Sequence, residues 1–356
     1  MTHTESESSR RSIAIYGAGA VGGYLGVKLA ATSHEAPRIT LIARRRVAEA
    51  VRARGLVLRE FGNQSNAHAT VVESAAGLPP QDLVLLTVRA YDVASSIDDL
   101  RGLIGEHGVV AAFQNGVGTE EELGASLGRD RVLACTLTVS VSMEEPGVIT
   151  RYSRGGGVAL ATMDGAHVPA WIVDLFGATG LPTNTVDDYR SLRWSKLLLN
   201  MLAAATSAIL DLDIDGLIGD PRVFRLEQLA FREAGKVMDA QGIRTVELPG
   251  YPVPMARLAM RLPQLLADKT LGRRIVSARA GRSPGMRGEM AWGRSEVAWY
   301  NGAVADAGRR IGVPTPVNSA LAELTLELVA HPEMRERYRG SPEALAASMR
   351  ERGVRQ

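Results

Sequence analysis

Residues 12–30, SIAIYGAGAVGGYLGVKLA, place four glycines within seven positions, between a short apolar run and a segment whose apolar residues recur at helical spacing. The run Ile13–Ala14–Ile15 breaks at Gly17, and apolar residues resume at Val21, Leu25 and Leu29, the pattern of strand, tight turn and helix. In that setting Gly17-x-Gly19-x-x-Gly22 has a mechanical reading. Gly17 serves the turn, Gly19 lets the backbone approach a pyrophosphate, and Gly22 lets the helix pack closely on the strand. The phosphates would sit at the helix N-terminus, where N–H groups without helical partners and the macrodipole favour negative charge. The stretch predicts a dinucleotide-binding unit near the start of the chain.

The rest of the chain sets limits on that reading. A length of 356 residues exceeds what one core usually serves, so two domains are expected. Hydrophobic residues make up 46% and charged ones 22%, as in a globular protein, and no apolar run approaches the roughly 18 residues of a membrane span. Basic and acidic residues, 41 against 39, are too balanced for a nucleic-acid binder, which needs a clustered basic face. The single Cys135, within VLACTLTVS, reads as a buried, inert thiol. The first eleven residues, MTHTESESSRR, lack the apolar core of a signal peptide and read as a disordered tail, so a cytoplasmic protein is expected. Neither a metal site nor a membrane partner is expected.

From Ile13 to about Val186 the apolar runs are SIAIYG, RITLIA, LVLRE, DLVLLTV, GVVAAF, VLACTLTVSV, GVIT and GVALAT. The early runs, separated by helix-length segments, predict βαβ units and a parallel sheet. The later ones follow each other closely and predict that the sheet ends in a more antiparallel portion, with EPGV (145–148) as a hairpin turn. From residue 189 to about 350 nearly every segment has helical period, beginning with YRSLRWSKLLLNMLAAATSAIL (189–210) as one long helix. The expected fold class is α/β, with a dinucleotide-binding domain over 12–187 followed by an all-helical domain over 188–356.

Candidate site residues follow from this frame. Folds that prefer NAD place an acid after the second strand to hold the ribose 2′-hydroxyl. Here RITLIARRR offers Arg44 as the first charged residue, and a guanidinium suits a 2′-phosphate, so NADP(H) is expected over NAD(H). In DLVLLTVRAYDV (82–93), Thr87, Val88 and Arg89 fall at a strand's carboxyl end, where open α/β sheets place ligands. Asn115-Gly116, in VVAAFQNGVGTEEEL, ends the next strand and makes Asn115 a candidate neighbour of the nicotinamide; Thr119 reads as an N-cap, with Glu122 completing a capping box. Lys196 and Asn200, four apart in RWSKLLLNMLAAAT, share a helix face otherwise made of leucine and alanine. Such a lysine either snorkels to water or does chemistry: hydride transfer to a carbonyl builds negative charge on oxygen, and an ammonium can stabilise and protonate it. Glu296, in GRSEVAWYNGAVADAGRRIGVPTP, begins a helix with the apolar face Val297, Tyr300, Val304 and Ala307. On physics alone it is a first-turn carboxylate facing the helix dipole.

Taken together, IAIYGAGAVGGYLGVKLA, LIAR, DLVLLTVRAYDV, FQNGVGTEEEL, RWSKLLLNMLAAATSAIL and GRSEVAWYNGAV…IGVPTPVN resemble, in order, segments of the ketopantoate reductase (2-dehydropantoate 2-reductase) family, from about Ser12 to Asn318. The resemblance implies a Rossmann-type NADPH domain and a helical domain, with a 2-oxo acid bound in the cleft between them, and a place in pantothenate biosynthesis. It implies that Gly17, Gly19 and Gly22, with Ala20 and Val21, form the pyrophosphate loop, that Arg44 holds the 2′-phosphate, and that Arg89 belongs to the cofactor site. It further implies that Asn115 lies near the nicotinamide and the catalytic lysine, that Lys196 is that lysine and proton donor, that Asn200 contacts substrate, and that Glu296 holds the substrate hydroxyl or orients the lysine. Several positions depart from the family pattern. Arg89 replaces a lysine, Ala204 stands where many members have a second asparagine, Asp215 lies near another family asparagine, and Gly285 precedes Met286 where a serine is usual, with Ser283 as a substitute substrate contact. The expected change is in substrate specificity more than in reaction type. A non-catalytic NADP(H)-binding redox sensor and a 3-hydroxy acid dehydrogenase are the alternatives. Leu258, Leu262, Leu265 and Leu266 could build either a homodimer contact or the core, and residues 248–269 either a lid or core packing.

Overall fold

The computed structural model of the chain describes residues 10–32, 37–262 and 285–355. The chain forms two compact units. The first is built from the residues up to Gln114, Thr119–Leu192 and Leu248–Tyr251; the second from Asn115–Gly118, Arg193–Glu247 and Pro252 onward. The exchange of two four-residue segments between the units is not visible in the hydrophobic pattern.

In the first unit, β1 (Ser12–Tyr16), β2 (Arg38–Ile42), β6 (Leu83–Leu86) and β7 (Val109–Ala112) pair in parallel at the centre of an eight-stranded sheet of order β12-β11-β8-β7-β6-β1-β2-β5. The outer strands are β5 (Thr70–Val72), β8 (Val132–Leu137), β11 (Val158–Thr162) and β12 (Thr183–Thr185). The central strands read as continuous apolar runs because both faces are covered: Ile13, Ile15, Leu41, Leu83 and Leu85 are fully buried. Each such side chain contributes roughly 1.5–3 kcal/mol of burial. Crossovers run through α1 (Ala20–Ala30), α2 (Arg45–Arg54), α3 (Val93–Ile104), α4 (Thr119–Leu127) and α5 (Ala170–Gly177).

A second sheet corrects the single-sheet expectation. LVLRE is β3 (Leu56–Glu60), which pairs with β4 (Asn63–Ala67) and with β10 (Val148–Arg151); β10 in turn forms the hairpin with β9 (Val141–Glu145) around the expected EPGV turn. The antiparallel hairpin therefore belongs to this four-stranded sheet, and in the main sheet only the β8–β11 pairing is antiparallel. This sheet lies on α1, where a side chain at Gly23 would meet Ile149 at 2.8 Å and one at Gly26 would meet Leu56 at 3.0 Å. Two of the glycines in the opening stretch thus serve sheet packing. Between the layers, Glu60 accepts from Lys28 (2.8 Å) and Arg151 (3.1 Å). Burial opposes ionisation of Glu60, but those two cations outweigh it and lower its pKa. Tyr24, in the same layer, has its hydroxyl pushed up to about 12 by burial, against the opposing charge of Arg151.

The start of β1 is tied to the start of β6 by Asp82, which accepts from the Ser12 N–H (2.7 Å), the Ser12 hydroxyl (2.9 Å) and Arg11 (2.9 Å). Burial acts against ionisation here, yet the Ser12 bonds and Arg11 hold the carboxyl below its ordinary range. The stabilisation is therefore present above the unfolded pKa and lost as pH falls through the folded one. Asp82→Ala is expected to cost on the order of 1 kcal/mol at neutral pH, kept small because the side chain is 33% exposed. The gap in melting temperature from the parent should narrow as pH falls through the lowered folded pKa; a gap that persists unchanged in acid would remove this assignment.

All described elements of the second unit are helical. They include the larger part of α6 (Tyr189–Met201), then α7 (Ala204–Leu210), α8 (Ile214–Gly219), α9 (Pro221–Ala240), α10 (Val253–Ala259) and further helices at Gly285–Glu289, Asn301–Ile311, Pro316–Ala330 and Pro342–Glu351. The expected single helix over 189–210 breaks at Leu202–Ala203, with Ala203 left-handed at φ 63°. Buried Glu227 of α9 accepts from the Ala203 N–H (2.9 Å) and the Thr206 hydroxyl (2.6 Å). The break is thus imposed by a residue from another helix. Glu233, also on α9, accepts from the N–H groups of Val317 (3.0 Å) and Asn318 (2.9 Å); burial raises its pKa despite those bonds. Leu258 and Leu262 are exposed rather than in the core, and Leu265 and Leu266 lie outside the described residues.

Candidate active site

Register puts the carboxyl ends of four neighbouring strands in one row, because Tyr16 pairs with both Ile42 and Leu86, and Leu86 pairs with Ala112. The segments leaving that row are Gly17–Gly19, Ala43–Arg44, Thr87–Arg89 and Phe113–Asn115. These are the stretches on which the sequence places its candidates, and the row includes the β6–β1 step where chain direction across the sheet reverses.

The glycine loop divides its labour as the sequence predicts for two positions and by a sharper criterion for the third. Gly17 has φ 100°, which a side chain would strain. A side chain at Gly22 would run into the Gly17 carbonyl and come within 2.5 Å of Thr87 Oγ1. Thr87 in turn donates to the Gly17 oxygen, locking β6's end to the loop. Around Gly19, by contrast, nothing lies within 4 Å of where a side chain would begin. Among the described residues, no packing calls for a glycine there. It is the N-cap residue of α1, and the N–H groups of Ala20, Val21 and Gly22 follow it in the first helical turn, outside the helix's own ladder. An open approach to such N–H groups fits a phosphate.

Arg44 is the N-cap residue of α2, with its side chain 86% exposed and 3.4 Å from Asp92. That distance and exposure make a weak ion pair, one a bound anion could replace. Asp92 closes the turn Ala90–Asp92 that begins just after Arg89, so the two arginine-bearing segments face each other. Tyr16, immediately before Gly17, keeps its proton: burial, then the bond to Asp99 (2.6 Å) and the charges of Asp99 and Asp92, raise its pKa.

In the second unit, three segments distant in sequence meet at Asn115–Gly118. Asn200 Nδ2 donates to Asn115 Oδ1 (2.7 Å), Arg193 donates to the Gly116 carbonyl (2.9 Å), and the Val117 N–H donates to the Trp299 carbonyl (3.0 Å). Arg193, Lys196 and Asn200, spaced i, i+3, i+7, share one face of α6. Lys196 and Asn200 are both half-buried, with Lys196 just over one turn, roughly 6 Å along the axis, before Asn200. Trp299 closes the short 3₁₀ turn Glu296–Trp299. Glu296 therefore opens that turn and not the following helix, a correction whose cause is local: Ser295 caps Val297, and Tyr300 leaves helical geometry before Asn301–Ile311 begins. Val297, Tyr300, Val304 and Ala307 are buried as expected. Glu296 is itself buried, and its N–H donates to the carboxylate of Glu289 (3.1 Å).

Asn115, Asn200 and the Glu296 turn are thus brought to one segment, while Ser283 lies outside the described residues. Ala204 is the buried first residue of α7. Sequence reasoning passed over Arg193 and Glu289. Both are charges that prove buried, at 2% and 0% exposure, a signal that the apolar neighbours Leu192 and Trp194 offered in the first case.

Comparison with known proteins supplies the remaining findings. The profile described as ketopantoate reductase PanE/ApbA matches residues 13–165, and that of the PanE/ApbA C-terminal region matches residues 188–328. A 2-dehydropantoate 2-reductase of Mesorhizobium japonicum is 27% identical over 339 residues, covering 89% of this chain and 97% of its own. Among solved structures, a PanE/ApbA family ketopantoate reductase from Ralstonia eutropha JMP134 superposes with a TM-score of 0.76 at 27% identity, over 90% of this chain and 99% of that one. A D-mandelate dehydrogenase, solved with NADH and anilino(oxo)acetate, shares the fold with a TM-score of 0.75 at 22% identity, over 90% of this chain and 98% of that one.

Proposed function

Because the chain belongs to the ketopantoate reductase family, we propose that it is an oxidoreductase that uses NADPH to reduce a 2-oxo acid to a 2-hydroxy acid. The observation that carries this reading is the 2.7 Å bond between Asn200 and Asn115, which brings the loop after β7 to the lysine-bearing face of α6. Gly17, Gly19, Ala20, Val21 and Gly22 would hold the pyrophosphate, Arg44 the 2′-phosphate, and Arg89 the same cofactor. NADPH, when bound, supplies a hydride to the carbonyl carbon.

The chain's own residues manage the oxygen and the proton. Charge develops on the carbonyl oxygen during transfer; the Lys196 ammonium stabilises it and then gives up a proton, so that ketone becomes alcohol. The bond from Asn200 to Asn115 leaves Asn200 Oδ1 to accept from the ammonium and Asn115 Nδ2 to donate to substrate. Glu296, its backbone fixed by Glu289 and by the Ser295 cap, meets the substrate's hydroxyl or orients Lys196. The substrate is ketopantoate or a 2-oxo acid with a larger, less polar side chain, since Ala204 offers no hydrogen bond where many members of the family have asparagine.

Initial rates of NADPH oxidation with ketopantoate beside longer and branched 2-oxo acids test the reading. Turnover with at least one is expected. Oxidation of a 3-hydroxy acid with NADP, and no reduction of any 2-oxo acid, would overturn it. The cofactor preference has its own check. Arg44→Ala should raise the NADPH dissociation constant about tenfold and leave that of NADH nearly unchanged, as expected from losing one charge-assisted phosphate contact. Equal weakening of both would remove Arg44 from the 2′-phosphate site.

A further inference from the structure

We propose that Arg193 is a positioning residue, which fixes the Asn115–Gly118 segment to α6 and thereby sets where Asn115 stands relative to Lys196. The inference rests on the reaction proposed above for its kinetic consequence, and on geometry alone for the clamp itself. Arg193 is 2% exposed, and its guanidinium donates to the Gly116 carbonyl at 2.9 Å. The segment it holds is short, and its conformation depends on its surroundings: Gly116 and Gly118 have φ of 88° and 110°, and a side chain at Gly116 would lie 2.5 Å from the Trp299 carbonyl.

Three bonds, two from α6 and one from the Glu296–Trp299 turn, hold the first three of these four residues. Asn200 reaches Asn115, Arg193 reaches Gly116, and Trp299 receives Val117. Both residues flanking the segment, Gln114 and Thr119, belong to the first unit, whereas the segment itself belongs to the second. Its place in the second unit is therefore not dictated by the strand and helix on either side of it. Removing the central bond leaves the segment held by Asn200 at Asn115 and by Trp299 at Val117, which widens the range of positions open to the Asn115 amide.

A buried cation kept only for stability has an apolar substitute of similar size that is often neutral or better. A cation kept for position does not, because the loss appears in the chemistry. Arg193→Met is expected to lower kcat tenfold to on the order of a hundredfold, with the NADPH dissociation constant and the substrate KM near parental values. Arg193→Lys, which retains a charged donor, should recover most of that loss. Gly116→Ala, which displaces the same segment from the opposite side with Arg193 intact, should reproduce the kinetic pattern of Arg193→Met.

Amide hydrogen exchange of peptides spanning residues 113–119 provides a readout independent of turnover. Arg193→Met should accelerate exchange there about tenfold or more, with peptides of α9 unaffected. Unchanged exchange in that segment would overturn the proposal, and so would a kcat loss matched by the loss of folded protein. If the parent enzyme reduces no 2-oxo acid, the proposed reaction fails, and the exchange result alone still decides whether Arg193 holds the loop.

Discussion

Lys196→Ala is expected to lower kcat on the order of a thousandfold while NADPH still binds within about twofold of the parental affinity. The asymmetry follows from where the residue sits. Lys196 lies on α6 in the second unit, while the glycine loop and Arg44, the proposed phosphate contacts, belong to the first. On the proposed role, its ammonium acts on charge that appears only as the carbonyl is reduced, so removing it should cost the transition state and not the cofactor complex. Lys196→Arg separates the two parts of its role. A guanidinium keeps the positive charge but does not release a proton near neutral pH, so the variant should stay far below the parent. Full activity in Lys196→Arg would mean that charge alone suffices, and simultaneous loss of NADPH binding in Lys196→Ala would place the lysine in the cofactor site.

The second large effect separates two glycines that the motif treats alike. At Gly19 a side chain would enter open space, so Gly19→Ala should leave the melting temperature unchanged and weaken NADPH binding on the order of a hundredfold by standing where the phosphates approach. At Gly22 the added carbon would run into the Gly17 carbonyl and the Thr87 hydroxyl, so Gly22→Ala should lower stability by about 1–3 kcal/mol before any ligand is considered. Thermal denaturation without ligand, followed by fluorescence titration with NADPH, distinguishes them. Equal destabilisation by both substitutions would contradict the division of roles.

Much of the first unit was legible because it is governed by local rules. A buried parallel strand must be apolar on both faces, which is why β1, β2, β6 and β7 stand out, and a glycine-rich turn marks where β1 gives way to α1. The second sheet was harder to read. Of β4, Asn63–Ala67, only Ala67 is buried, and the strand is held by backbone pairing to β3, which leaves no hydrophobic period. Likewise β12, Thr183–Thr185, has no buried residue and is defined by its pairing with β11.

In the candidate site, the proposed residues could be picked out by their types, while the bonds that gather them could not. Asn115, Lys196, Asn200 and Glu296 carry chemistry that can be named from their types and neighbours. The clamp that gathers Asn115 with Asn200 depends on Arg193 and Trp299, whose partners are backbone carbonyl and N–H groups that every residue possesses. The helix break after Met201 has the same origin, since it is set by Glu227 from α9.

On the proposed reaction, this chain moves a hydride to the second carbon of a 2-oxo acid and a proton to its oxygen. Incubating the enzyme with NADPH carrying deuterium at the transferring position and a mixture of ketopantoate and other 2-oxo acids, then locating the label by mass spectrometry and NMR, tests it most directly. The expected product is a 2-hydroxy acid bearing one deuterium at C2. Recovery of every 2-oxo acid unlabelled and unreduced, from enzyme shown to bind NADPH, would contradict it.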